Sequence, residues 1–201
     1  MNTDSKPVPF KENFMFIFLV MFLFFGIMVS LIPYEHVGRW IIFNCCIAIL
    51  ATFVNYILWL YQKHDSKRYN SLTSFVMLIT LTYYIMSPAF KMLYPSIYFW
   101  LLLSLTLGYT ILLFINRIKI SRAILNPREV WFKKLLLIFS IITVLISILL
   151  SRFLNFTDSD LAAYMVASII LYLSGLVFLS LSPVFLTTPK MAKTLEEMSI
   201  D

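Results

Sequence analysis

Charge is scarce in this sequence, and inside its long apolar stretches it is missing. Only 13% of the residues are charged while 61% are apolar; a soluble domain carries roughly a quarter charged and under half apolar residues. No water-facing surface can be built from that mixture, which excludes soluble enzymes and soluble nucleic-acid-binding domains. The net charge of +6 therefore needs an explanation other than nucleic acid.

Further absences narrow the chemistry. Intramembrane ionisable groups mark ion paths and proton relays, and no Asp, Glu, Lys, Arg or His lies in the interior of an apolar stretch. This argues against proton-coupled transporters and pumps. The sets that serve intramembrane proteolysis are also missing: a membrane Asp pair, a His-Glu-x-x-His zinc helix, or Ser with His. His36 and His64 fall in loops expected at opposite faces, so they cannot share a site. Cys45 and Cys46 are the two cysteines; neighbours in one helix violate bridge geometry, and they read as small apolar residues. No catalytic constellation, cofactor or metal site is predicted, and the expectation is a protein that is not an enzyme.

What is present is six apolar stretches at nearly even spacing: residues 14–33, 39–62, 71–90, 96–116, 135–151 and 161–186. A bilayer core about 30 Å thick takes about 20 apolar residues per helix. Runs this continuous lack the alternation of a barrel strand, so the fold class is an all-α integral membrane protein. Residues 14–33 are too long for the core of a cleavable signal, and no small-x-small site follows; they read as the first helix.

The basic residues fall in every other gap. Lys6, Lys11, Lys63, Lys67, Arg68, Arg117, Lys119, Arg122, Arg128, Lys133, Lys134, Lys190 and Lys193 share one side, against Arg39, Lys91 and Arg152 on the other. Positive charge is retained at the cytoplasmic face and attracted to anionic lipid there. This predicts six transmembrane helices as three hairpins within residues 14–186, with a cytoplasmic segment 1–13 and a cytoplasmic tail 187–201. Outer turns are expected at 34–38, 91–95 and 152–160. The third stretch is the weakest, interrupted by Ser71, Thr73, Ser74, Thr80, Thr82 and Ser87-Pro88. Without its crossing, however, the basic gaps would fall on opposite sides. The expected location is a bacterial cytoplasmic membrane.

Three features are candidates for function. On the second helix Asn44, Ala48, Ala51, Thr52 and Asn55 share one face at 100° per residue. A small, polar stripe amid large apolar residues is expected to face protein, through interhelical hydrogen bonds, or to line a polar path. The connector 117–134 carries Arg117, Lys119, Arg122, Arg128, Lys133 and Lys134, a docking surface for an acidic partner or anionic lipid. Within it Asn126-Pro127-Arg128-Glu129 reads as a helix start, so the fifth helix should begin near Pro127. Asp158-Ser159-Asp160 suits another helix N-terminus, and Asn155-Phe156-Thr157 has the form of a glycosylation sequon. Small residues four apart, Gly26/Ser30, Ser104/Gly108 and Ala163/Ala167, and the heptad series Ser168, Gly175 and Ser182, permit close backbone approach in lipid. Ser182-Pro183 should bend or end the last helix.

These features leave two functional expectations. The first is a non-enzymatic accessory or immunity-type protein that partners another membrane or toxin component. The second is the membrane subunit of an exporter working with a separate ATPase.

Overall fold

The computed structural model describes residues 7–10, 13–125, 131–154 and 160–187. Among them every regular element is helical: α1 (Met15–Ser30), α2 (Val37–Gln62), α3 (Ser66–Leu93), α4 (Ile97–Ile115), α5 (Arg117–Leu125), α6 (Trp131–Leu154) and α7 (Asp160–Leu181), followed by a 3-10 turn, Ser182–Leu186. The helix start expected at Asn126–Glu129, Arg128, the sequon, Asp158 and the tail beyond Thr187 lie outside the described residues.

Four helices are long and apolar enough to cross a membrane: α2, α3, α4, and α7 with its following turn. The expectation of six full-length spans is met at these four. Helix α1 has 16 residues, because the chain turns at Leu31 ahead of Pro33. In α6 the described apolar run is Leu137–Ile146. Another departure is α5, a nine-residue helix where only a connector is expected. Its neighbour α6 is already helical at Trp131.

Side-chain contacts fix the helix directions. Gly26 and Ser30 of α1 meet Asn44 of α2. The segment before α1 reaches the far end of α2, where Val8 N–H donates to Lys63 O and Trp59 Nε1 to Val8 O. Phe10 packs edge-on against the Trp59 ring at 5.2 Å. These two helices are therefore antiparallel, and the chain ahead of α1 follows α2 to its end. Between α3 and α7, Arg68 meets Leu186 while Phe90 meets Tyr172, again antiparallel. Thr106 with Tyr172 and Tyr109 with Ser180 set α4 parallel to α7. Since α5 packs on the 3-10 turn at one end and α7 begins at the other, α6 carries the chain back along α7.

Helix α3 occupies the centre, touching α1, α2, α4 and α7. Of its most apolar stretch 44% is buried, against 6% in α4. That placement explains why it looks weak as a sequence: Thr73, Thr80, Thr82 and Ser87 are buried against protein, where a hydroxyl is tolerated better than against lipid. Pro88 does not stop the helix. Its missing N–H would have bonded the carbonyl of Tyr84, and Ser87 Oγ donates there instead, at 2.9 Å. Ser182 serves Leu179 in the same way ahead of Pro183, at 2.8 Å, but there the α-helix ends.

Each end of α3 carries a cation turned onto another helix's carbonyls. Lys91 is expected in an outer turn, yet α3 continues to Leu93 and Lys91 is buried. Its Nζ donates to Ser30 O at 2.7 Å and to Pro33 O, where α1 ends. At the other end Arg68 Nη1 donates to Leu186 O and Thr187 O, at 3.1 and 3.3 Å. A helix C-terminus carries unpaired carbonyls and partial negative charge, which a cation stabilises.

Candidate functional site

The polar face of α2 is the most densely bonded place in the interior. Asn44, Ala48, Ala51 and Asn55 are all buried, and Thr52, partly buried beside them, returns its hydroxyl to Ala48 O at 2.8 Å. Asn44 Nδ2 donates to Ser30 Oγ at 2.7 Å and to Gly26 O at 3.1 Å. Ser30 Oγ donates to the same Gly26 carbonyl at 2.6 Å. From α3, Tyr83 OH donates to Asn44 Oδ1 at 2.9 Å, and Tyr84 OH to the Asn44 main-chain carbonyl at 3.0 Å. Three helices thus converge on one asparagine.

The geometry depends on Gly26. A Cβ there would lie 3.2 Å from Asn44 Cβ and 3.4 Å from the Tyr84 ring, so glycine lets the α1 backbone come within reach of the amide. Phe22, Ala48, Ala51 and Tyr84 pack beside it as an apolar cluster. Interhelical hydrogen bonds in lipid contribute about 0.6 kcal/mol each, and up to about 1.7 kcal/mol; several on one residue fasten three helices.

Asn55 lies three turns further along the same face. It is fully buried, yet neither its Nδ2 nor its Oδ1 has a hydrogen-bond partner among the described residues. Burying an amide without a partner costs about 1–3 kcal/mol.

The basic connector is built differently. Ile120, Ser121 and Ala123 of α5 are buried, with Leu113 of α4 and Leu179 of α7 in the same apolar cluster. Arg117, Lys119 and Arg122 are exposed on the other side of α5, Lys134 is exposed on α6, and Lys133 is half-buried. The structure therefore separates the two candidate sets: the asparagine face is inside the bundle, and the basic face is on the surface at the end where α2, α4 and α7 finish. His36 is exposed in left-handed backbone at the start of α2, with φ 48°, and His64 is exposed at the opposite end of that helix. Among the described residues no three His, Cys, Asp or Glu side chains gather as a metal site would require.

Small-residue pairs divide in the same way. Gly26 and Ser30 are buried, as are Ser168, Gly175 and Ser182. A Cβ on Gly175 would fall 2.2 Å from Met86 Cγ, so α3 and α7 need glycine there. Ser104 and Gly108 have the same spacing but are exposed on α4.

Sequence reasoning missed Lys91 and Tyr83. Lys91 sits one residue past an apolar run and reads as a loop. Tyr83 is not singled out within the third stretch; the adjacent hydroxyls of Tyr83 and Tyr84 amid Thr80 and Thr82 were the available signal.

Helices and contacts together define an all-helical membrane protein by the length and composition of its spans. No protein-family model matches the chain, and no curated protein or solved structure compared with it matches either.

Proposed function

We propose that this protein is a non-enzymatic accessory or immunity-type partner of another membrane or toxin component, crossing a bacterial cytoplasmic membrane six times. The observation that carries the reading is the closure of the asparagine face. The stripe that could line a polar path is packed against α1 and α3, with the Asn44 amide bonded on both its oxygen and nitrogen. Polar groups used this way fasten helices. Six crossings are supported by the alternating helix directions, by the segment ahead of α1 following α2 to its end, and by α6 returning the chain along α7. The segments before α1 and after α7 then share the cytoplasmic face with α5, beside anionic lipid headgroups.

The test is protection. Hosts expressing the protein should survive a toxin whose target is the bilayer or a membrane complex, and crosslinking in the native membrane should join the two. Vesicle flux that needs Asn44 or Asn55 would sink this reading. It would favour an exporter subunit, for which the exposed Arg117, Lys119 and Arg122 on an anchored helix offer an ATPase docking face. In that case reversal of the three to Glu should release the ATPase. Topology is checked by labelling single cysteines from outside: Tyr34→Cys should react and Lys119→Cys should not.

A further inference from the structure

Buried polar atoms without a hydrogen-bond partner are not scattered through this bundle. Of the eight among the described residues, five are Asn13 Nδ2, Asn55 Nδ2 and Oδ1, Tyr69 OH and Thr73 Oγ1. The pairings Gly26–Asn44 and Phe10–Trp59 bracket Asn13 and Asn55 in one antiparallel register. Asn55 follows Asn44 by eleven residues and Thr73 precedes Tyr84 by eleven. The register that joins Asn44 to Tyr84 therefore sets Asn55 level with Thr73. Tyr69 is one turn nearer the end of the bundle. The five atoms thus gather where α1 begins, α2 ends and α3 begins.

The cover over that level is thin. Residues 7–10 cross the end of α2, with Pro7, Pro9 and Phe10 exposed. Val8 N–H donates to Lys63 O at 2.8 Å, Trp59 Nε1 donates to Val8 O at 3.0 Å, and the Phe10 ring meets Trp59 edge-on. Trp59 is one turn from Asn55. On the other side Phe22, Ala48, Ala51 and Tyr84, with Phe18 and Val76 against them, form an apolar layer between this level and Asn44. An amide or hydroxyl shut away without a partner favours any arrangement that lets water reach it. Two hydrogen bonds and one ring contact oppose that arrangement here.

We infer that residues 7–10 are a strap that lifts from Trp59 and Lys63 and admits water as far as Asn55, Thr73 and Tyr69. The apolar layer beyond keeps the Asn44 level dry, so the wetted space is a chamber open at one end and not a path across. The inference rests on the six-crossing topology above, which puts the strap at the cytoplasmic face. It gives the unpartnered Asn55 amide a part: it offsets the contacts that hold the strap shut.

The test is thiol labelling of the full chain in membrane vesicles of both orientations, with Cys45→Ala and Cys46→Ala as background. The probe is a small charged methanethiosulfonate, which needs water at the thiol. Thr73→Cys should react in inside-out vesicles and not in right-side-out ones. Trp59→Phe keeps a ring and removes the bond to Val8 O, so it should speed that reaction about fivefold, the factor one hydrogen bond supplies. Val8→Pro, which lies outside every helix and loses the N–H given to Lys63, should do the same. Asn55→Leu removes much of the gain from wetting and should slow the reaction by a similar factor. Thr82→Cys, buried on α3 beyond the apolar layer, should stay unreactive throughout. Labelling of Thr82→Cys in step with Thr73→Cys overturns the proposal, since opening of the whole bundle then accounts for both. So does a rate that neither strap variant raises, or one that Asn55→Leu leaves unchanged. Reaction in right-side-out vesicles alone, with the same dependence on Trp59, supports the strap and overturns the orientation.

Discussion

Asn44 and Asn55 sit on one face of one helix, both fully buried, and have opposite surroundings. Eleven residues separate them, which returns the helix to within about 20° of the same direction. Around Asn44, Gly26 brings the α1 main chain close, Ser30 supplies an acceptor and Tyr83 a donor. Around Asn55 no group does so among the described residues. The same side chain at the same angle is a fastening in one place and a burden in the other. Residue type and periodicity say which face turns inward; only the neighbouring helices say what the face does there.

That contrast can be broken from its stronger side first. Asn44→Leu removes three hydrogen bonds and strands Tyr83, so unfolding by SDS in mixed micelles should show a loss of about 3 kcal/mol. A double-mutant cycle with Tyr83→Phe should recover a coupling of about 1 kcal/mol, because the tyrosine bond is lost only once. Lys91→Met strips a charged donor from Ser30 O and Pro33 O. It should cost about 2 kcal/mol by the same titration, with protease cleavage near Pro33 rising as the end of α1 frays. Gly26→Ala forces the α1 and α2 backbones apart by tenths of an ångström, for about 1 kcal/mol. It should act with leucine at position 44 as well, since the Cβ and the Tyr84 ring that it meets both remain. Asn55→Leu reverses the sign: removing the unpartnered amide should raise stability by about 1 kcal/mol in the same titration. If Asn55→Leu instead costs as much as Asn44→Leu, the asymmetry between the two sites is wrong.

Much of the architecture is legible in the sequence because lipid enforces it. Hydropathy and the sided distribution of Lys and Arg mark where the chain turns. The gaps that hold Lys63, Lys67, Arg68, Arg117, Lys119 and Arg122 do gather at one end of the bundle. Four spans follow from length and composition alone. Less legible is the part that rests on side chains meeting across helices. Hydropathy counts the α3 hydroxyls as interruptions, whereas Thr73, Thr80, Thr82 and Ser87 are buried against protein in a helix that touches four others. It counts Ser104/Gly108 and Gly26/Ser30 alike, although one pair is exposed and the other buried. The 100° repeat finds the inward face of α2 but carries no information on whether a partner waits there. For α5 the alternation of Ile120, Ala123 and Ile124 with Arg117, Lys119 and Arg122 is amphipathic, but nine residues are too few to stand out inside a basic loop.

The two Ser-Pro steps show how local chemistry and tertiary context divide the work. In both, a serine hydroxyl takes the carbonyl that proline leaves open. Helix α3 continues for five residues past Pro88 because its flanks are packed and Lys91 has a carbonyl pair to reach. After Ser182 the chain is drawn instead toward Arg68 and Ser71 on α3, whose side chains hold Leu186 and Phe185.

The paired cations of α3 also impose an order in time. Ser30 O waits 61 residues of synthesis for Lys91, and Arg68 waits 118 residues for Leu186. A chain that emerges from its N-terminus can thread α1 and α2 as a hairpin, but it cannot seal the end of α1 until nearly all of α3 has been made. Nor can Arg68 reach its carbonyls until α7 and the turn after it are complete. With Lys91 a later helix finishes one already in place, with Arg68 a helix in place finishes the last turn to arrive, and α3, the least lipid-like span, takes part in both.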